Sequence, residues 1–118
     1  MTTLLIVDDT LLMRQRIRDI ANDNDMKVVG EAENGIQAVE LYRDLQPDVV
    51  LMDITMPLKS GIDATADIIS EFPDAVIIML SALEQQKIII QALENGAKDF
   101  LVKPFEPQQF VRTVRQFI

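Results

Sequence analysis

The 118-residue chain contains no cysteine, which excludes disulfide scaffolds, thiolate zinc sites and cysteine nucleophiles. It contains no histidine either, which removes the commonest general base and the commonest transition-metal ligand. Positive charge is scarce: 11 Lys and Arg stand against 19 Asp and Glu, for a net charge of −8. That balance argues against nucleic acid and anionic membrane surfaces as partners. No apolar run approaches the roughly 20 residues of a membrane-spanning helix. Met1-Thr2-Thr3 lacks the basic start and apolar core of a signal peptide. A core is affordable without staples, because 48% of the residues are hydrophobic and a chain of this length buries roughly two thirds of its unfolded surface. The expectation is one soluble, acidic, cytoplasmic domain spanning residues 1–118.

Short apolar runs alternate with longer amphipathic ones. The runs are Leu4–Val7, Lys27–Val29, Val49–Met52, Ala75–Leu80 and Phe100–Val102, spaced like successive strand–helix units. The first, third and fourth lack polar alternation, as parallel strands covered on both faces do. The second continues as Gly30-Glu31-Ala32-Glu33, the pattern of an edge strand with one wet face. In the first helix Met13, Ile17, Ile20 and Ala21 share a face, with Arg14, Arg16, Arg18 and Asp19 expected outward. Asn34-Gly35 opens the second, with Ile36, Val39 and Tyr42 at core spacing. Residues 63–72, 84–95 and 108–117 read as the third, fourth and fifth helices. The pattern predicts a doubly wound (βα)5 α/β domain with a parallel sheet.

The residues that close the apolar runs are unusual. Asp8-Asp9 follows the first, Asp53 the third, Ser81 the fourth and Lys103 the fifth. In open α/β sheets that edge, where strand order reverses, is the ligand-binding edge. Singly, each has a plain reading: Asp9 or Asp53 as a helix N-cap, Ser81 as the start of a capping box, Lys103 as a loop lysine. Pro57 and Gly61 would be turn residues. Together, clustered carboxylates repel one another and call for a compensating cation. An all-oxygen donor set favours Mg2+, with Mn2+ as the other candidate. A lysine charge and a hydroxyl donor complete a site suited to a phosphoryl group.

These residues resemble the receiver domain of two-component response regulators, most closely the stand-alone chemotaxis type. The matching stretches are Leu4–Asp9, Met52–Pro57, Gly61, Ser81-Ala82, Gly96–Phe100 and Lys103-Pro104-Phe105. The resemblance implies a flavodoxin-like sheet ordered 2-1-3-4-5 with helices on both faces. It makes Asp53 the phosphorylated residue, with Asp8, Asp9 and the backbone carbonyl of Thr55 completing the metal site. Ser81 becomes the switch hydroxyl, Lys103 the cation that pairs with a phosphoryl oxygen, its peptide bond to Pro104 being typically cis, and Phe100 the rotating aromatic. It implies a histidine kinase or histidine phosphotransfer protein as donor, and a target protein as receiver of the signal. A monomer is expected, catalysing only its own phosphorylation and dephosphorylation.

The resemblance also implies that a side-chain amide or carboxylate at the positions of Thr55 and Leu83 can orient a hydrolytic water; a threonine and a leucine there lead to the expectation of a long-lived phosphoryl state. Driving a switch from 1:99 to 99:1 takes about 5.5 kcal/mol. Two or three charge-assisted bonds at roughly 1.5–3 kcal/mol each would supply it. Of Ile88-Ile89-Ile90, Ile90 lies nearest the polar face of Lys87, Gln91 and Glu94 and is the expected partner contact together with Phe100. Two alternatives remain: a receiver cut from a larger DNA-binding regulator, or a small phosphatase using Asp53 as nucleophile. The second resembles the haloacid-dehalogenase phosphatases but has Thr55 where those need a second aspartate.

Overall fold

A computed structural model describes the whole chain, Met1–Ile118. The elements run β1 (Thr2–Val7), α1 (Leu11–Asp23), β2 (Met26–Ala32), α2 (Gly35–Leu45), β3 (Val49–Asp53), α3 (Gly61–Glu71) and β4 (Ile77–Ser81). A 3₁₀ turn at Leu83–Gln85 then leads into α4 (Gln86–Glu94), β5 (Asp99–Val102) and α5 (Pro107–Arg115). All strand pairs are parallel, in the order β2-β1-β3-β4-β5. This is the expected flavodoxin-like order. No helix is long and apolar enough to cross a membrane.

Alternation along each strand splits the core into two layers. Leu4, Ile6, Val49, Leu51, Ile78 and Leu80 pack with Ile17, Ile20 and Ala21 of α1 and Phe110, Val111 and Val114 of α5. Leu5, Val7, Val50, Met52, Ile77 and Met79 face α2, α3 and α4. Every residue of β3 and β4 is buried, which is why those runs show no polar alternation. β2 lies at the edge and is largely half-buried.

Helix ends differ from the sequence reading by a residue or two at α3, α4 and α5. Ser60 caps α3, its Oγ accepting from the Asp63 amide at 3.1 Å. Pro107 occupies the first turn of α5, where its missing N–H leaves no bond unmade. Two side-chain placements are corrected. Ile36 is 43% exposed, not core: the buried stripe of α2 runs through Gly35, Ala38, Val39 and Tyr42, and Ile36 sits about 100° round from Gly35. Arg14 points inward and is 7% exposed. It lies three residues before Ile17 and seven before Ala21, on the apolar stripe itself.

Candidate functional site

The switch point falls between β1 and β3, since the chain leaves β1 for β2 on one side and returns to β3 on the other. The pairing of Val7 with Met52 sets Asp8 level with Asp53, and Asp9 follows on the loop into α1. Oxygens of Asp8, Asp9 and Asp53 all lie within 4.8 Å of one another. Asp8 is fully buried and Asp53 is 6% exposed, while Asp9 faces solvent. None of the three is a helix N-cap: Thr10 caps α1 and Ser60 caps α3.

Asp8 is held at every polar atom. Its Oδ1 accepts from the Thr10 amide and hydroxyl, both at 2.8 Å. Its amide donates to the Ala32 carbonyl at 3.1 Å, and its carbonyl accepts from Arg14 Nη1 at 2.7 Å. Lys103 Nζ lies 3.3 Å from Asp8 Oδ2 and 3.2 Å from Asp53 Oδ1, bridging β1 and β3 from the end of β5. Burial and the neighbouring Asp8 charge push Asp53 up to about 6, against the opposing pull of Lys103. Burial alone would lower the Lys103 ammonium, but Asp53 and Asp8 outweigh it and raise its pKa.

Three carboxylates against one ammonium leave the pocket with an excess of negative charge. The donors are all hard oxygens, and burial first, with repulsion from Asp8 second, is what raises Asp53. Such a set fits a small divalent cation of the magnesium type, which takes few protein carboxylates and keeps several waters.

The remaining expected site residues lie on β4, β5, α4 and the β3–α3 connection. Ser81, paired in register with Val102, is fully buried. Its hydroxyl donates to the Ala82 carbonyl at 2.9 Å, so it caps no helix as a lone serine reading would have it. The cap-like contact belongs to Gln85, whose Oε1 accepts from the Ala82 amide and whose Nε2 donates to Thr55 Oγ1, both at 2.8 Å. Thr55 is exposed at the rim. Gly61 backs the pocket: its amide donates to the Ile54 carbonyl at 2.8 Å, and a Cβ there would lie 1.8 Å from the Asp53 carbonyl oxygen. No side chain fits, so a residue readable as a plain turn glycine sets the β3–α3 loop against the acidic strand end. The Lys103–Pro104 peptide is cis. Phe100 is 38% exposed rather than a core residue of β5, and Ile90 is 58% exposed while its neighbour Ile89 is buried.

The sequence reading missed Arg14 and Gln85. Arg14 lies on the apolar stripe of α1, but its charge makes it read as an outward residue. Nothing local marks Gln85, because its partner Thr55 is 30 residues away.

A doubly wound sheet with an acidic, lysine-bridged pocket at its switch point, flanked by a buried serine, defines a class of signalling module. Residues 4–115 match the family model of the response regulator receiver domain, and the chain belongs to that family. Its members are signalling switches of two-component systems that bind Mg2+ at an acidic pocket. The chain is 46% identical over 116 residues to the chemotaxis protein CheY of Listeria monocytogenes, covering 98% of each. It is 49% identical over 113 residues to CheY of Thermotoga maritima, covering 96% of this chain and 94% of that one. Among solved structures it is similar to a chain of the CheX–CheY–BeF3–Mg2+ complex of Borrelia burgdorferi. That match has a TM-score of 0.92 and 31% identity, and covers 98% of this chain and 87% of that chain.

Proposed function

We propose that the protein is a phosphorylation-activated switch that accepts a phosphoryl group on Asp53 from a histidine kinase or histidine phosphotransfer protein. The observation that carries this reading is the convergence of Asp8, Asp9 and Asp53 under a lysine that bridges two of them. In the transfer, an Asp53 carboxylate oxygen forms a bond to phosphorus as the donor's nitrogen–phosphorus bond breaks, leaving an acyl phosphate. Asp8, Asp9, Asp53 and the Thr55 carbonyl would hold Mg2+. When bound, that ion neutralises the charge of the transferring phosphoryl oxygens.

Lys103 already touches Asp53 in the resting protein, so its task is to exchange a carboxylate oxygen for a phosphoryl oxygen. Ser81 must change partner altogether, from the Ala82 carbonyl to the phosphoryl group. That exchange moves the β4–α4 connection and passes the signal to α4, β5 and α5, where Phe100 and Ile90 form the target-binding surface. The chemotaxis proteins among the relatives support a chemotaxis-type output; in this reading a cytoplasmic monomer delivers it to a target protein. Thr55 and exposed Leu83 offer no free amide or carboxylate to a hydrolytic water, which supports a long-lived phosphoryl state.

Acetyl phosphate with Mg2+ should add the mass of one phosphoryl group to Asp53, and Asp53→Asn should stay unmodified because an amide is no competent nucleophile. An adduct on the Asn variant, or on a serine, overturns the assignment.

A further inference from the structure

Arg14 is a cation buried beside a pocket that serves to attract another cation. Charge alone makes this placement unfavourable for metal binding, and a buried ion pair is seldom more stabilising than an apolar residue of the same volume. Its contacts explain what it does. Nη1 donates to the Asp8 carbonyl at 2.7 Å, and Nε donates to Glu31 Oε1 at 3.0 Å. Nη2 lies 3.6 Å from Glu33 Oε1. Glu31 is in turn paired with Arg18. Hydrogen bonding from Arg18, reinforced by Arg14, outweighs partial burial and holds the Glu31 carboxyl below its ordinary range. Arg14 is thus anchored on the edge strand β2 and reaches across to the end of β1.

The carbonyl it grips belongs to the peptide that joins Asp8 to Asp9. That unit is planar, so a bond to its oxygen fixes the amide of Asp9 and the direction in which Asp9 leaves the strand. Asp8 has further restraints through Thr10 and Lys103. Asp9 is exposed, and the orientation of this peptide is what aims its carboxylate at the other two. The geometry points to Arg14 as a positioning residue of the acidic pocket: it clamps the Asp8–Asp9 peptide plane so that Asp9 joins Asp8 and Asp53 in one metal site. This rests on the reading of Asp8, Asp9 and Asp53 as the magnesium site.

Positioning and simple charge predict opposite signs. Removing a cation that acts through its charge tightens Mg2+ binding, whereas removing a clamp weakens it. Mg2+ affinity of the full chain is measured by calorimetric or NMR titration for wild type, Arg14→Met, Arg14→Lys, Glu31→Gln and Asp9→Asn. Melting temperature is recorded for each with EDTA and with saturating Mg2+. Arg14→Met should weaken Mg2+ on the order of tenfold, the usual effect of losing an outer support of a metal ligand. Arg14→Lys keeps the charge but not the planar fork and should fall between wild type and Met. Glu31→Gln, which loosens the anchor, should weaken binding less than Arg14→Met. A residue with only a structural role would lower the melting temperature equally with and without Mg2+ and leave affinity unchanged.

Unchanged or tighter binding in Arg14→Met overturns the proposal. So does wild-type affinity in both Arg14→Lys and Glu31→Gln, the pair that decides it if the Met variant does not fold. Asp9→Asn separates the two levels: if it too leaves Mg2+ affinity intact, the metal site itself is wrong.

Discussion

α1 and α4 both follow a strand end that carries a site residue, yet they are held very differently. α1 has 13 residues, a Thr10 cap whose hydroxyl accepts from the Met13 amide, and four buried side chains, Arg14, Ile17, Ile20 and Ala21. α4 has 9 residues, begins from a 3₁₀ turn without a side-chain cap of its own, and buries only Ile89 and Ala92. It leaves Ile88, Ile90 and Leu93 exposed. Most of a helix's stability in a protein comes from its buried face, and segments with few buried contacts open first. The carboxylate side of the pocket is therefore built into the framework, and the Ser81 side leads into the least anchored helix. A switch needs that asymmetry. A rigid cradle fixes where the phosphoryl group sits, and a weakly held neighbour can answer it with the few kilocalories the new bonds supply.

The largest test of this contrast lies in the cores under the two helices. Ile17→Ala, at a fully buried position, should cost about 4 kcal/mol of global stability. Ile89→Ala, under the shorter helix, should cost about 2 kcal/mol, because the surrounding structure can close in on the cavity. Denaturant melts of both variants check this. Equal losses would put α4 in the framework and break the contrast.

The fixed side is also held under electrostatic tension, which gives the next effect in size. Metal-free, Asp53 has a native pKa of about 6 against an ordinary value of 3.8. Its native pKa is the higher one, so between these values the native state binds more protons than the unfolded chain. Stability consequently falls as pH rises from 3.8 through about 6. The gap sets a ceiling of about 3 kcal/mol. Asp53→Asn removes that penalty but also one of the two partners of Lys103. In EDTA at pH 7 it should be more stable than wild type by about 1–2 kcal/mol, and the gain should vanish near pH 4. Melting curves across that range check it, and a variant destabilised at pH 7 contradicts the tension. Saturating Mg2+ should reverse the order by stabilising wild type.

These two sides were not equally readable from the chain. Val49–Asp53 and Ile77–Ser81 stand out because strands buried on both faces must be apolar throughout, so a charged or hydroxyl residue at the end of such a run is conspicuous. Asp53 and Ser81 are legible for that reason, whereas Lys103 closes β5, a short and partly exposed strand, and stands out only beside the other two. The strand order is different: it brings Asp8 beside Asp53, yet periodicity does not encode which strands are neighbours, and only the family resemblance supplied it. Arg14 shows how a charge can mislead. Its spacing placed it on the buried stripe of α1, but an arginine reads as a solvent residue unless its partners are known. Those partners, Glu31 and the Asp8 carbonyl, come from other elements. The start of α4 was obscured for the same reason, since Gln85 works through Thr55 on a separate loop.

The smallest expected effect is at Gln85, and it probes the contrast most directly. Its amide group makes two bonds at 2.8 Å, one to the Ala82 amide and one to the Thr55 hydroxyl. The side chain thereby fastens the start of α4 to the rim of the pocket in place of an ordinary cap. Both bonds are close to solvent, so Gln85→Ala should lower global stability by no more than about 1 kcal/mol. Thr10→Ala should cost about as much, but the consequences should differ in where they appear. Thr10 caps a helix that opens only with the whole molecule, so its loss should speed exchange of the slowest amides everywhere by the same modest factor. Gln85 fastens a helix that opens by itself, so its loss should speed exchange chiefly for amides of residues 83–89, on the order of fivefold for about 1 kcal/mol. Native-state hydrogen exchange on the two variants distinguishes these patterns. If Gln85→Ala spreads its effect evenly through β1, β3 and α1, then α4 is as firmly part of the framework as α1, and the movable side of the switch must be sought elsewhere.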